Sequence, residues 1–469
     1  MPTAFGPLIV GAALVLGILI GESTTSDSRP GYVIGACCTV AALVCARRRR
    51  LTCVVIAAMS IGVGGGASVA RDRALPSNWE FPPGFVIIDG SISDEAAGHQ
   101  YQSSVVVAAE SIDEFPFDRK IRVQANGRSA LRLRALRRGD VVRVRARVRP
   151  AHGDVWAVRS GAIAVADDSE VIGFVPSNAL HLHLGGVVRA RIERGVRLLG
   201  ERDRGLVLGF LLGDTSGIDR DDRDAFRRSG LSHLLAVSGA NVAFVLALFG
   251  PLLRRVGYRL RFAIGISVVL VFAAATRFEP SVLRAAAMAA VVMLARVSGR
   301  DVHPARALAF AVVGLLVVDP SLVHSIGFRL SVTATAGIVI GASAIARRIR
   351  GPSGVQQAIG VTLAAQLAVA PMLVVEFGSV PLIALVANLV AAPAAAPLTL
   401  HGLVAAAVAP SLPRPLARLV LAPCSWLVSW IRGVAHLGAR VPIELDGRGL
   451  ALSVLAVVVV TIARRRIRG

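Results

Sequence analysis

Three polar side chains interrupt an apolar stretch at residues 230–245, which reads GLSHLLAVSGANVAFV. If the stretch is one helix, His233, Ser238 and Asn241 lie on adjacent stripes of its surface. Polar groups are costly in hydrocarbon, and they usually face a bundle interior or a water-filled path. The pattern therefore predicts a membrane helix that lines such a path. The alternative is an intramembrane hydrolase, which would use His233 or Ser238 as its catalytic group.

The composition is that of a membrane protein. Hydrophobic residues make up 54% of the chain, and its mean hydropathy is +0.64, which is too apolar for one soluble fold. The net charge of +22 is carried almost entirely by arginine, because Lys120 is the only lysine. A basic balance suits nucleic acid or acidic lipid head groups. Part of it also follows from the arginines that cytoplasmic loops accumulate.

The sequence offers no sign of cofactor chemistry. The cysteines lie in or beside apolar stretches and lack metal-ligand spacing, and His181 and His183 lack the further ligands of a zinc motif. There is no phosphate-binding loop of a nucleotide hydrolase and no Gly-x-Ser-x-Gly elbow. We therefore expect no metal, no cofactor and no enzymatic activity, and transport must be driven by another protein.

Apolar runs and arginine clusters predict a polytopic α-helical membrane protein of about twelve spans. Clusters such as Arg47–Arg50 and Arg347–Arg350 fall on the cytoplasmic side, with both termini inside and residues 71–230 outside. Pro393 and Pro397 predict a broken helix that lines a water-filled path, or else a simple proline kink. The runs are 5–20, 31–46, 51–69, 231–250, 262–276, 281–297, 305–318, 326–346, 356–375, 380–409, 416–437 and 449–463.

Residues 71–175 predict an inserted extracellular all-β domain. Strand-like alternation and turn signals indicate about five strands, which suits a small barrel of the OB type. The other predicted segments are a three-helix membrane segment at 1–70, a connector at 176–230 and the channel domain at 231–469. In the connector, residues 186–204 place Val188, Ile192, Val196 and Leu199 on one helical face. Such a helix lies on the outer leaflet or packs as a soluble helix.

Arginines alternate with apolar residues in VVRVRARVRP, residues 141–150. Arg143, Arg145, Arg147 and Arg149 therefore share one strand face, which we call the Arg comb. With a second set at Arg132, Arg134, Arg137 and Arg138, the comb has the spacing to follow the phosphates of an extended strand. The alternative is a solvated strand face, since no aromatic residue alternates with the comb.

Further polar residues occur in the membrane half of the chain. Beyond the connector, Asp219 with Arg223 and Asp224 with Arg228 have the i,i+4 spacing of ion pairs, at a channel mouth or simply in solvent. Inside the predicted spans we expect Arg284, Arg329, Gln366 and Asn388 to line the channel or to fix helix packing. Arg284 has Glu279 as its nearest candidate partner, and Arg329 has Asp214 or Glu376.

Several blocks of the membrane half resemble, in order, those of the ComEC family. They are LLGDTSGI (211–218), the GLSHLLAVSGANVAFV stretch, PSVLRAAAM (280–288), GFRLSVTATAGI (327–338), AAQLAVAP (364–371) and FGSVPLIALVANLVAAP (377–393). Many members carry Leu-His where this chain has Ala240-Asn241, which puts in doubt any role tied to that histidine. Longer members continue into a metallo-β-lactamase-like domain, so we expect a short form without it.

The resemblance implies an inner-membrane channel for DNA uptake in natural transformation. One strand would be captured outside by the basic domain and threaded through the bundle as through a passive conduit. The implied partners are DNA, membrane lipids, an extracellular DNA receptor, a separate nuclease, and a cytoplasmic motor or strand-binding protein. The remaining alternatives are a transporter or flippase for a lipid-linked or other anionic substrate, and the intramembrane hydrolase.

Overall fold

The structure is a computed structural model that describes most of the chain from residue 81 to residue 446. It also describes residues 13–16 and 18, and the gaps after residue 81 are 100–101, 152–153, 155–156, 158–161, 236, 238, 254 and 442. The predicted spans 31–46, 51–69 and 449–463 lie outside the described residues, as does most of 5–20. The chain forms two compact units, one of Met1–Arg189 with Phe249–Phe328 and one of Ala190–Leu248 with Arg329–Gly469.

Five strands in the first unit close into a barrel in the order β1-β2-β3-β5-β4. All neighbouring strands are antiparallel except β3 and β5, which run parallel. The helix Gly127–Ala135 follows β3 and precedes β4. The predicted five-stranded barrel is thus confirmed. Its strands are β1 (Phe85–His99), β2 (Gln102–Ile112), β3 (Phe115–Asn126), β4 (Val141–Pro150) and β5 (Ala164–Val175).

Alternating polarity explains why these strands form a barrel. Along β4, Val142, Val144, Ala146 and Val148 are buried in the barrel core, whereas the arginines between them are exposed. Successive side chains of a strand point to opposite faces, so this one sequence supplies both the core and the outer surface. At Gly90 the register of β1 shifts, and a Cβ there would lie 2.2 Å from the carbonyl oxygen of Ala108. The strand bends at a position that only glycine fits.

Helices make up most of the remaining described chain. Among the described residues, five are long and apolar enough to cross a membrane: Tyr258–Ala275, Pro280–Val297, Ile326–Ala346, Ser353–Phe377 and Ala384–Ser411, the last including a 3-10 turn. The other helices are Leu180–Val196, Glu201–Leu212, Arg220–Arg228, Ser232–Leu235, Gly239–Leu253, Pro304–Val318 and Arg414–Gly438. Two short strands, β6 (Ser379–Pro381) and β7 (Glu444–Asp446), pair antiparallel in the second unit.

One predicted span is divided in the structure, and two others form helices close to their predicted bounds but are not among the five long apolar helices. The run 231–250 is divided between Ser232–Leu235 and Gly239–Leu253. The helix Pro304–Val318 has 15 residues, fewer than the roughly 20 that cross a bilayer upright. The helix Arg414–Gly438 has 25 residues, but it is not among the five apolar ones, since it carries Arg414, Arg418 and Arg432. The twelve-span topology therefore stays a prediction.

The connector also differs from its predicted form. Residues 186–204 belong to two helices, Leu180–Val196 and Glu201–Leu212, instead of one. Ile192, Val196 and Leu199 are buried as expected, but Val188 is 37% exposed. Arg189 is buried instead, and its Nη1 donates a hydrogen bond to the carbonyl of Ala275, 3.1 Å away. An arginine side chain can donate to the free carbonyls at a helix end. The sequence pattern of charged and apolar residues therefore did not show that Arg189 would be buried.

Asp140 fixes the loop between the barrel helix and β4. Its buried carboxylate accepts hydrogen bonds from the backbone N–H groups of Arg137 (2.8 Å) and Ser177 (3.0 Å). We predict that Asp140→Ala lowers the free energy of unfolding of the barrel by about 2 kcal/mol, because two N–H groups lose their acceptors. Faster hydrogen exchange in β1 and β4 of the purified chain would report it. The control is the exposed Asp118→Ala, and equal exchange in the two variants would contradict the assignment.

Candidate functional site

The segment 230–245 does not form one continuous helix, and the interruption lies between its polar residues His233 and Asn241. One helix ends at Leu235 and the next begins at Gly239, with Val237 between them outside both helices. The prediction that His233, Ser238 and Asn241 lie on adjacent stripes of one helix is therefore wrong, since it required a continuous helix. Ser238 lies outside the described residues. Non-helical backbone within an apolar segment must be satisfied by protein or by water, so this break is the first candidate functional feature.

His233 and Asn241 lie in different environments on the two sides of the break. His233 is exposed in the protein, and its Nδ1 lies 3.1 Å from the carbonyl oxygen of Gly230. Asn241 is 5% exposed, and its side-chain amide donates a hydrogen bond of 3.3 Å to the carbonyl of Phe210. Asn241 was predicted to face water, and the structure instead places it inside the packed unit. Of the two, His233 alone is positioned to meet a passing solute.

Arg329 and Glu376 form an ion pair between two of the apolar helices, Ile326–Ala346 and Ser353–Phe377. This confirms one of the two partners predicted for Arg329. The same helices pack closely at Gly337, where a Cβ would lie 2.6 Å from the carbonyl oxygen of Ala364. A small residue permits that approach. The arginine thus joins two spans electrostatically.

Three other predicted channel residues, Arg284, Gln366 and Asn388, lie on three different apolar helices. Arg284 is 7% exposed in the helix Pro280–Val297, with its Nη1 3.9 Å from Sδ of Met288. Gln366 and Asn388 are half-buried on the helices Ser353–Phe377 and Ala384–Val408. Neither of these two amides makes a side-chain hydrogen bond to another residue that the structure describes. The two amides are therefore available to water or to a solute.

The predicted break at Pro393 and Pro397 is not present. Both prolines lie inside one helix, Ala384–Val408. Pro371 likewise lies inside the preceding helix, Ser353–Phe377. A membrane helix tolerates proline when neighbouring groups satisfy the freed carbonyls. The irregular backbone of the second unit is thus found near residue 237 and not near residue 395.

The Arg comb forms an exposed face, but neighbouring strands place carboxylates beside it. The Arg143 guanidinium donates two hydrogen bonds to Asp89 on β1, at 2.7 and 3.0 Å, and the pKa of Arg143 is raised by this bond and by the charge of Asp89. Arg149 pairs with Asp167 at 2.5 Å, and Arg147 lies 4.0 Å from Asp168. The sequence of β4 alone did not reveal these partners, because they come from β1 and β5.

Phe85 supplies the aromatic residue that the comb itself lacks. It lies on β1, is 44% exposed, and has the guanidinium carbons of Arg145 and Arg147 at 4.9 and 4.6 Å from its ring centre. Arg145 forms no ion pair with another described residue. An exposed ring beside two guanidiniums has the parts that bind single-stranded nucleic acid by stacking and charge. Sequence reasoning missed Phe85 because its proximity depends on the pairing of β1 with β4.

The second arginine set divides into two groups. Arg132 and Arg134 lie on the barrel helix Gly127–Ala135, and neither pairs with a carboxylate among the described residues. Arg137 and Arg138 instead make contacts within the first unit. Arg138 lies over the ring of Phe278 at 5.3 Å, and the Arg137 guanidinium occupies the space that a side chain at Gly186 would need. In the first group, Arg132 lies 3.5 Å from the carbonyl oxygen of Val171 and Arg134 is half-buried.

A charged network in the second unit was not predicted. Asp222, on the helix Arg220–Arg228, lies 2.7 Å from His436 and 3.3 Å from Arg432, and Arg432 lies 2.7 Å from Asp203. The predicted i,i+4 pairs of the same helix do not form. Arg223 donates to the carbonyls of Thr215 and Ile218, and Asp224 pairs with Arg227 at 3.4 Å. The network joins positions about 210 residues apart, so local spacing carries no signal for it.

Comparison with known proteins places the membrane half of this chain in a family. The family model described as competence protein matches residues 210–467. The chain is 29% identical over 236 residues to ComE operon protein 3 of Bacillus subtilis (strain 168), an alignment that covers 50% of this chain and 30% of that relative. No solved structure matches the chain significantly.

The matched region contains Val237, the Arg329–Glu376 pair and the Asp222 network, and it covers more than half of the chain. Together with the five apolar helices, the match describes a multi-pass membrane protein. The chain belongs to the competence protein family, that of ComEC.

Proposed function

We propose that this protein is a membrane channel through which single-stranded DNA enters the cell during natural transformation. The observation that carries the proposal is the family match over residues 210–467, which supports a role in DNA uptake. Half of this chain aligns with under a third of its curated relative. The channel, its cargo and its partners are therefore proposals of our own.

The break between Leu235 and Gly239 supports the channel. In transport proteins, discontinuous helices commonly lie beside the place where a solute crosses. Here the break is flanked by the exposed His233. The half-buried Gln366 and Asn388 supply further uncommitted polar groups on two apolar helices. Neutral polar groups suit a polyanion that must pass without binding tightly.

The barrel supports capture of the strand. A closed barrel in the order β1-β2-β3-β5-β4, with a helix between β3 and β4, supports the OB type, whose members often bind oligonucleotides. Within it, Phe85, Arg145 and Arg147 form a patch suited to a base and its phosphate, and Arg132 and Arg134 offer a second basic surface. The other comb arginines, Arg143 and Arg149, are held by carboxylates, so we assign them a weaker role.

The proposed conduit is passive. A receptor outside delivers DNA, another nuclease removes the second strand, and a cytoplasmic motor or strand-binding protein draws the strand in. The arginine clusters support an orientation with the barrel outside and both termini inside. Reporter fusions at Ser103 and Arg300 test it, and a cytoplasmic signal at Ser103 would reverse the assignment.

Uptake of labelled DNA tests the function directly. In a strain deleted for this gene, we expect the labelled strand to stay outside the cell, and expression of this chain restores its entry. The strain must keep surface binding of DNA, measured as nuclease-sensitive label, so that loss of the receptor is excluded. If the deletion strain takes up as much labelled DNA into the cell as the parent strain, the proposal is wrong.

Phe85→Ala tests strand capture by the barrel. We predict that it weakens binding of a short single-stranded oligonucleotide to the purified full chain by about 1–3 kcal/mol, because a stacked base loses its partner. Fluorescence anisotropy measures the affinity. The matched control is Phe115→Ala, which removes an exposed phenylalanine at the β2–β3 turn. If both variants bind like the unmodified chain, the Phe85 patch is not a DNA site.

A further inference from the structure

An open cavity of about 290 Å³ lies in the second unit, beside the helices Arg220–Arg228 and Arg414–Gly438. Its lining carries charges of both signs together with an imidazole. The lining residues are Asp221, Asp224, Ala225, Arg228, His436, Ala439 and Arg440. None of them is among the residues that the proposed function uses.

The cavity wall is held by the Asp222 network. His436 Nε2 lies 2.7 Å from Asp222 Oδ1, and the Asp222 side chain is only 10% exposed. Arg432 contacts the other oxygen of Asp222 and also Asp203, at 3.3 and 2.7 Å. With Nε2 fixed in this way, Nδ1 is the ring nitrogen of His436 that remains for a ligand. A side chain supported by a chain of charged partners keeps its orientation, as a binding site requires.

The remaining charged groups are available. Arg228, Arg440 and Asp221 form no ion pair with another residue in the described part of the chain. Asp224 has only the 3.4 Å contact with Arg227, whose side chain is 73% exposed. Guanidiniums bind phosphate oxygens through paired hydrogen bonds, whereas carboxylates accept from amino groups. The lining therefore fits a ligand that carries a phosphate together with a hydrogen-bond donor.

We propose that this cavity binds one nucleotide of the DNA strand. Arg228 and Arg440 hold the phosphate, and Asp221 or Asp224 accepts a hydrogen bond from the exocyclic amino group of the base. This inference rests on the proposed function, since it names a contact of the same cargo. Adenine, cytosine and guanine carry an exocyclic amino group, whereas thymine offers a carboxylate only its ring N3–H. The cavity therefore favours bases that carry an amino group over thymine.

Binding of single-stranded homopolymers to the purified full chain tests the inference. We expect decamers of deoxycytidine to bind about fivefold or more tightly than decamers of thymidine. Asp221→Asn with Asp224→Asn removes this preference, because an amide accepts through a single oxygen and carries no charge. Arg228→Gln with Arg440→Gln weakens binding of both decamers and makes the negative slope of log affinity against log salt shallower by about 0.7 for each phosphate that is no longer neutralised. Arg220→Gln, an exposed arginine of the same helix outside the cavity, is the matched control and leaves both quantities unchanged.

Three outcomes overturn the inference. In the first, the chain binds both decamers but the cavity variants match Arg220→Gln, so DNA binds elsewhere and only the cavity is rejected. In the second, Arg228→Gln with Arg440→Gln leaves DNA affinity unchanged and lowers retention of phosphatidylethanolamine during purification, which makes the cavity a lipid head-group site. In the third, no decamer binds the unmodified chain, and the proposed function fails together with the inference.

Discussion

The ion pair between Arg329 and Glu376 shows the constraint that governs the membrane half of this protein. A charged side chain in an apolar membrane helix is costly when it lacks a partner. Here the guanidinium of Arg329, in the first turn of its helix, meets a carboxylate on the next apolar helix. Arg432, on a less apolar helix, is held by Asp203 and Asp222, and Asn241 donates to a backbone carbonyl. At each of these positions the fold supplies the polar side chain with a partner.

This constraint separates structural polar groups from those that can act on a solute. Asn241 is committed to packing, and Arg329 is paired. His233 next to the break, and the amides of Gln366 and Asn388, are the groups that face water or cargo in our account. The barrel follows the same logic, since Arg143 and Arg149 are matched by carboxylates while Arg145 lies against Phe85. A count of arginines therefore overstates the charge that a DNA strand would meet.

Local patterns predicted the parts of the fold that depend on local periodicity. The alternation in residues 141–150 gave β4 and its buried face, and apolar length gave five helices close to their bounds. Proline spacing placed a helix break near residue 395, but tertiary contacts keep that helix continuous. Apolar periodicity predicted one helix over residues 231–250, but Val237 lies outside the helices on either side of it. In residues 186–204, Arg189 is buried and Val188 is partly exposed, because Arg189 donates a hydrogen bond to a carbonyl at the end of another helix.

The candidate site depended more on pairing between distant segments. Phe85 joins the Arg comb only through the register of β1 with β4, and Asp222 meets His436 across more than 200 residues. Of the two partners that charge suggested for Arg329, only the packing of two helices selects Glu376. His233 was named from the sequence alone. Phe85 and the Asp222 network were not, because each depends on a partner on a distant element.

The central claim is that the strand passes the break near residue 237, and thiol accessibility tests it most directly. In a chain without native cysteines, His233→Cys should react with a small water-soluble thiol reagent in intact cells. The buried Asn241→Cys should react far more slowly. When a DNA strand with a bulky end is stalled during uptake, the reaction at position 233 should slow markedly. A cysteine at 233 that is unreactive, or that reacts at the same rate with and without the stalled strand, would contradict the account.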